Sequence, residues 1–244
     1  PVHLTGVNYP NPNIHMAIKS KSKGDEEKLA VGLATLHEED PTFVYHVDGE
    51  LKQTVISGQG ELHLQVAVGS LKRNYNVDLE MMKPKIPYRE TIKGNGSSKY
   101  RHKKQSGGAG QFAEVWMRVE PTGRGTGVDF NESLVGQNVD RVFVPSVEKG
   151  VIAACTEGII AGYRVVDVKV EFYDGKQHPV DSKDIAFQIA GSYAVKEAFK
   201  TAQPVLLEPI MQVEVEIPEK HVGDIISDLN SRRGRIEKID MLKN

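Results

Sequence analysis

Residues 42–75 read TFVYHVDGELKQTVISGQGELHLQVAVGSLKRNY, and two kinds of pattern meet inside that run. Thr42–Val47 and Gln53–Ser57 form a pair of short strand patterns. Asp48-Gly49 stands between them, a pair suited to a hairpin turn. From Leu64 the spacing changes: Leu64, Val68, Leu71 and Tyr75 fall three or four apart, the stripe of an amphipathic helix. Upstream, Asn13–Lys19 alternates like a strand, and Asp25 is placed to cap a helix carrying Leu29, Leu33 and Leu36 that ends before Pro41. Downstream, Val77–Met81 supplies one more strand. The order βαββαβ over residues 13–83 is that of a ferredoxin-like domain. Residues 1–12, with Pro1, Pro10 and Pro12, read as a linker entering it.

Pro84 and Pro87 punctuate the change to a second, mixed α/β domain over residues 84–204. Its strand patterns are Tyr88–Ile92, Phe112–Glu120, Gly127–Glu132 and Val165–Tyr173, with Asp174-Gly175 expected to turn the chain. Val147, Val151, Ala154, Cys155 and Ile159 make one helical stripe. Ser182 is placed to cap an alanine-rich helix with Ile185, Ile189 and Ala190 facing inward, stopped by Pro204. Residues 205–244 begin a third unit: a strand over Ile210–Ile217, a helix carrying Val222, Ile225, Ile226 and Leu229, Gly234 at its C′ position, and a strand from Arg235 to Leu242. This is a truncated ferredoxin-like βαβ unit. The fold class is therefore α+β and multidomain. The first residue is Pro1, and the chain stops inside a strand pattern, so both ends read as cuts through a longer polypeptide.

The 31 Lys and Arg nearly balance the 33 Asp and Glu, so any nucleic-acid surface must come from local clustering. The single cysteine, Cys155, excludes an internal disulfide and suits a reducing, cytoplasmic setting. No apolar run approaches the roughly 20 residues of a membrane helix. The phosphate-loop pattern G-x-x-x-x-G-K-[ST] is absent, and Gly107-Gly108-Ala109-Gly110 has no lysine after it. No paired metal ligands fall at helical spacing: Glu61-x-His63 is too close, and His63 reads as a polar residue on an apolar helix. Cys155 falls on a buried stripe, as a small core residue. These residues support no catalytic centre, no cofactor and no metal site in the chain.

Local clustering does occur. Lys99-Tyr100-Arg101-His102-Lys103-Lys104 leads into Gln105, Ser106, Gly107 and Gly108. Cations on a strand that delivers small residues suit a close approach to RNA phosphate. A solvated hairpin with a loose turn has the same composition, and both readings stand here. Asp174–Asp181, with His178 at its centre, reads as a turn between strand and helix. Arg232, Arg233 and Arg235 complement a helix C-terminus; three arginines in four residues exceed what capping needs, and phosphate contact is the other reading.

Five stretches resemble the elongation factor G family. Ile56-Ser57-Gly58-Gln59-Gly60-Glu61-Leu62-His63-Leu64 and Glu38-Glu39-Asp40-Pro41-Thr42-Phe43 are similar to signatures of its third domain. Tyr88-Arg89-Glu90-Thr91-Ile92 resembles the entry to its fourth domain, and Lys104-Gln105-Ser106-Gly107-Gly108 that domain's tip loop. Asp228-Leu229-Asn230-Ser231-Arg232-Arg233-Gly234-Arg235-Ile236 resembles the helix end of the fifth. Phe112-Ala113-Glu114-Val115-Trp116 is closer to the second-type paralogue. The resemblance implies the C-terminal part of a GTPase that promotes movement of tRNA and mRNA through the ribosome, or acts in recycling. It implies GTP and Mg2+ for an N-terminal domain of the full-length parent. It implies that Gln105, Ser106, Gly107, Gly108 and His178 enter the decoding region, that Arg101, Lys103 and Lys104 back them, and that Arg232, Arg233 and Arg235 meet rRNA. The implied partners are rRNA, ribosomal proteins, tRNA and mRNA in the cytoplasm, with no membrane. A ribosomal protection protein of the tetracycline-resistance type shares this architecture, and a stand-alone RNA-binding protein is a further alternative.

Overall fold

A computed structural model describes residues 6–105 and 110–241. The chain divides into one compact unit ending at Pro209 and another beginning at Ile210. The first opens with β1 (Ile14–Ser20), α1 (Glu26–Glu39), β2 (Val44–Asp48), β3 (Gln53–Gly58), α2 (Glu61–Tyr75) and β4 (Leu79–Met82). These strands form one antiparallel sheet in the order β2-β3-β1-β4, the ferredoxin-like arrangement expected of βαββαβ. Leu33, Leu64 and Leu71 share one core with Ile18, Phe43 and Ile56, and Leu29 and Val68 pack at its margin. Asp25 precedes α1, but its side chain makes no capping bond and lies 3.7 Å from the Lys28 ammonium instead. His63 is wired into the fold. Its Nδ1 accepts the Gln59 N–H at 3.1 Å, which leaves the ring proton on Nε2, 3.0 Å from the Asp40 carboxylate. Bonds from the Thr42 hydroxyl and N–H, aided by His63, hold the Asp40 carboxyl below its ordinary range.

The chain then runs through β5 (Arg89–Ile92), β6 (Gly96–Lys104), β7 (Gln111–Pro121), β8 (Val128–Glu132), α3 (Val144–Glu157), β9 (Val168–Lys176), α4 (Asp184–Thr201) and β10 (Pro204–Leu207). β6-β7-β9-β8 form a sheet in which only β8 and β9 run parallel, joined through α3 as a βαβ unit, while β5 pairs with β10. Ala113, Val115, Met117 and Val119 from β7 alternate inward and meet Val168, Val170 and Phe172 from β9. The two helices cover that face: Val147, Val151, Ala154 and Cys155 come from α3, and Ala186, Phe187, Ala190, Ala194, Val195, Ala198 and Phe199 from α4. The inward stripe of α4 thus begins one residue later than expected. Ile185 is exposed and Ile189 only partly buried.

Two further local expectations fail in this domain for physical reasons. Asp174-Gly175 does not turn the chain; both residues continue β9, paired with Trp116 and Val115 past a bulge at Trp116/Met117. A Cβ on Gly175 would run into the Glu114 carbonyl oxygen, so this glycine serves close strand approach and not reversal. Ser182 makes no cap for α4, because its hydroxyl is engaged with β7.

Within β5, Glu90 is fully buried and its carboxylate accepts four backbone N–H groups. Ile159 and Ile160 donate to Oε2 at 2.7 and 2.9 Å, and Ala161 and Tyr163 to Oε1 at 2.7 and 3.1 Å. Burying an ion without partners is costly, and these amides supply the compensation.

The second unit contains α5 (Val222–Ser231) with Val222, Ile225, Ile226 and Leu229 half-buried. Neither flanking strand forms among the described residues: 210–217 and 235–241 carry no ladder. Ile210, Met211 and Val213 are largely exposed. An alternating pattern becomes a strand only when a neighbour takes its N–H and C=O groups. The C′ position belongs to Arg233 and not to Gly234. Arg233 has φ 63°, its N–H bonds to Asn230 O, and the Gly234 N–H bonds to Leu229 O at 2.7 Å, a complete Schellman closure.

Candidate functional site at the end of the β6–β7 hairpin

β6 and β7 pair from Gly96 with Val119 to Lys104 with Gln111, so residues 105–110 form the connection at the hairpin's end. Alternation along β6 turns Ser98, Tyr100 and His102 toward the helices. The Ser98 hydroxyl donates to Ala194 O at 2.7 Å, and Tyr100 stacks on Tyr193 with centroids 5.0 Å apart. Lys99, Arg101 and Lys103 therefore occupy the opposite, open face.

These cations differ in freedom. The Arg101 guanidinium donates to Glu114 Oε2 at 2.5 Å, and the Trp116 indole N–H donates to the other oxygen at 2.9 Å. Burial pushes the Glu114 carboxyl up, but the Trp116 and Arg101 bonds outweigh it and hold it below its ordinary range. Lys99 sits 3.7 Å from the Trp116 ring centre, and Arg118 sits 4.1 Å from that of Tyr173. Arg101 is thus committed to the sheet. Lys103 and Lys104 are exposed and have no carboxylate partner among the described residues. Gln105 is exposed at the strand's end; Ser106, Gly107 and Gly108 lie outside the described residues.

The segment after β9 reaches the same end of the domain. The His178 N–H donates to Ser182 Oγ at 2.8 Å, and that hydroxyl donates to Phe112 O at 2.8 Å. The Val180 and Asp181 N–H groups both point to His178 Nδ1, at 3.3 and 3.2 Å. A ring nitrogen accepting two amides carries no proton, so the neutral imidazole holds its proton on Nε2. The side chain is half-exposed, and its ring lies 6.2 Å from that of Phe112. Asp181 spans the two segments. Its Oδ1 accepts the Gly110 N–H at 3.0 Å, its main-chain oxygen accepts the Phe112 N–H at 2.9 Å, and Oδ2 lies 3.5 Å from His178 Nδ1.

The expected residues therefore fall into three groups. His178 and the hairpin carrying Lys103, Lys104 and Gln105 come together. Arg101 belongs to the sheet surface. Arg232, Arg233 and Arg235 lie in the second unit, where Arg232 pairs with Asp228 at 2.9 Å and Arg235 is exposed. Sequence reasoning missed the part played here by Asp181 and Gly110, which read singly as ordinary turn residues, and by Ser182, which read as a helix cap. Their only sequence signal is Asp181 three positions after His178 and Gly110 closing a glycine run.

What this end offers chemically is a set of donors: two exposed ammonium groups and one imidazole N–H. Family models match nearly the whole chain: Elongation Factor G, domain III over residues 9–83; Elongation factor G, domain IV over residues 84–203; and Elongation factor G C-terminus over residues 205–244. A crystal structure of a protein from Thermus thermophilus matches with a TM-score of 0.82 at 39% identity, covering 98% of this chain and 36% of that one. The chain thus spans about a third of that protein's length.

Proposed function

We propose, since the chain belongs to the elongation factor G family, that it is the ribosome-engaging part of a factor promoting tRNA–mRNA translocation. The observation that carries this reading is the meeting of the His178 loop with the hairpin that bears the exposed Lys103 and Lys104. Exposed ammonium groups neutralise phosphate, and an outward imidazole N–H donates to a backbone oxygen. The work of this end is positioning: it occupies space beside an RNA backbone and holds it there. Arg232, Arg233 and Arg235 are assigned to rRNA in the same proposal, and its setting is the cytoplasm.

GTP and Mg2+ belong in this reading to an N-terminal domain of the full-length factor. The residues of this chain do not fit them, because the glycine run 107–110 lacks the lysine that would meet a phosphate. The test is rapid-mixing translocation by the full-length factor carrying His178→Ala, beside GTP hydrolysis by the same protein. Translocation should slow by about tenfold, corresponding to one lost charge-assisted bond, with hydrolysis within about twofold. A parallel fall in both rates, or no change in either, overturns the proposal.

A further inference from the structure

We infer that Asp181 is a positioning residue that locks the base of the β6–β7 hairpin to the His178 loop, so that both reach RNA as one surface. This rests on the reading above, in which both loops face RNA. Three bonds cross between the segments. Two of them use Asp181, through its carboxylate to Gly110 and its main-chain oxygen to Phe112; the third is Ser182 Oγ to Phe112 O. The Asp181 N–H donates to His178 Nδ1 at 3.2 Å, so one residue touches the hairpin through its carboxylate and orients the imidazole through its main chain.

Gly110 shows that this approach is close. A Cβ there would stand 3.2–3.3 Å from the Asp181 carboxyl atoms, tighter than ordinary contact. The glycine lets its N–H reach the carboxylate. Asp181 is also about one-third exposed, at 32% of its side-chain surface, so water can replace the bond without unfolding the domain. Loss of the side chain therefore releases the hairpin base locally.

The test uses Asp181→Ala, Asp181→Asn and Gly110→Ala in this chain, with amide exchange at Gly110 followed by NMR. Asp181→Ala should speed Gly110 exchange by about tenfold, while amides in β7 and α4 keep their protection. Asp181→Asn retains an oxygen acceptor and should stay within about threefold. Gly110→Ala should speed exchange of its own amide in the wild-type background and add nothing in the Asp181→Ala background, the non-additivity of a direct contact. In the full-length factor, Asp181→Ala should slow translocation by about fivefold, with Asp181→Asn restoring it. Unchanged Gly110 exchange in Asp181→Ala, or strictly additive effects, overturns the lock. Freed exchange with wild-type translocation overturns the positioning role. His178→Ala in the same translocation assay then tells whether the RNA-facing reading falls with it.

Discussion

Glu90 and Asp181 perform the same chemistry in different surroundings. Both are carboxylates that accept backbone N–H groups from a loop far away in sequence. Glu90 is fully buried and takes four amides, with no Lys or Arg ion pair among the described residues. Asp181 is one-third exposed and takes one. At Glu90 water cannot replace a lost acceptor, so the four amides and the carboxylate need one another. At Asp181 solvent stands ready, and what the bond controls is where a loop sits. Burial therefore separates a carboxylate that holds the fold from one that arranges a surface.

The largest expected effect tests that contrast directly. Glu90→Gln places an NH2 against amide donors, and should destabilise the first unit by about 3 kcal/mol in urea unfolding. Asp181→Ala, measured alongside, should cost less than about 1 kcal/mol. Equal losses would erase the distinction. Cys155 sharpens it from the other side. Burial first, and the charge of Glu90 second, push its thiol up to about 12. A raised pKa means that the folded state keeps its proton while the unfolded state ionises. Stability should therefore fall as pH rises from about 9 toward 12, at up to about 1.4 kcal/mol per pH unit. Subtracting the same curve for Cys155→Ala isolates this contribution. A zero difference would mean that the thiol is not held in a dry, negative site. The smallest effect on the fold belongs to the hairpin: Lys103→Ala with Lys104→Ala should change stability by less than about 0.5 kcal/mol. The same pair should make ribosome binding by the full-length factor less salt-dependent, lowering the log–log slope by about two. An unaltered slope would remove both lysines from the RNA-facing surface.

Much of the first domain was legible because its cues are local. Leu33, Leu64 and Leu71 lie on the core side of their helices, as their spacing required, and Asp48-Gly49 lies at the end of β2 in the β2–β3 connection. Reading failed where a residue's role depends on something distant. Asp174-Gly175 has the composition of a turn, yet β7 runs alongside and extends the ladder through it. Ser182 has the composition of a helix cap, yet the Phe112 carbonyl takes its hydroxyl proton. Ile210–Ile217 alternates as a strand should, and no described neighbour completes it. At the candidate site, the exposed lysines and His178 were visible as residue types, whereas the bonds joining their loops were not.

Sequence alone determined the helical and strand periods, the α+β class and the position of the basic hairpin, because side-chain direction repeats every 3.6 or 2 residues along the chain itself. Tertiary structure alone decided which polar groups pair. The donors to Glu90 lie 69 to 73 residues downstream, and Asp181 lies 71 residues from Gly110. A hydrogen bond needs its partners within about 3 Å, and nothing in a local repeat specifies an approach across that separation. Only the packing of α3 and α4 onto the β6-β7-β9-β8 sheet does so. It buries Glu90 and leaves Asp181 at the surface.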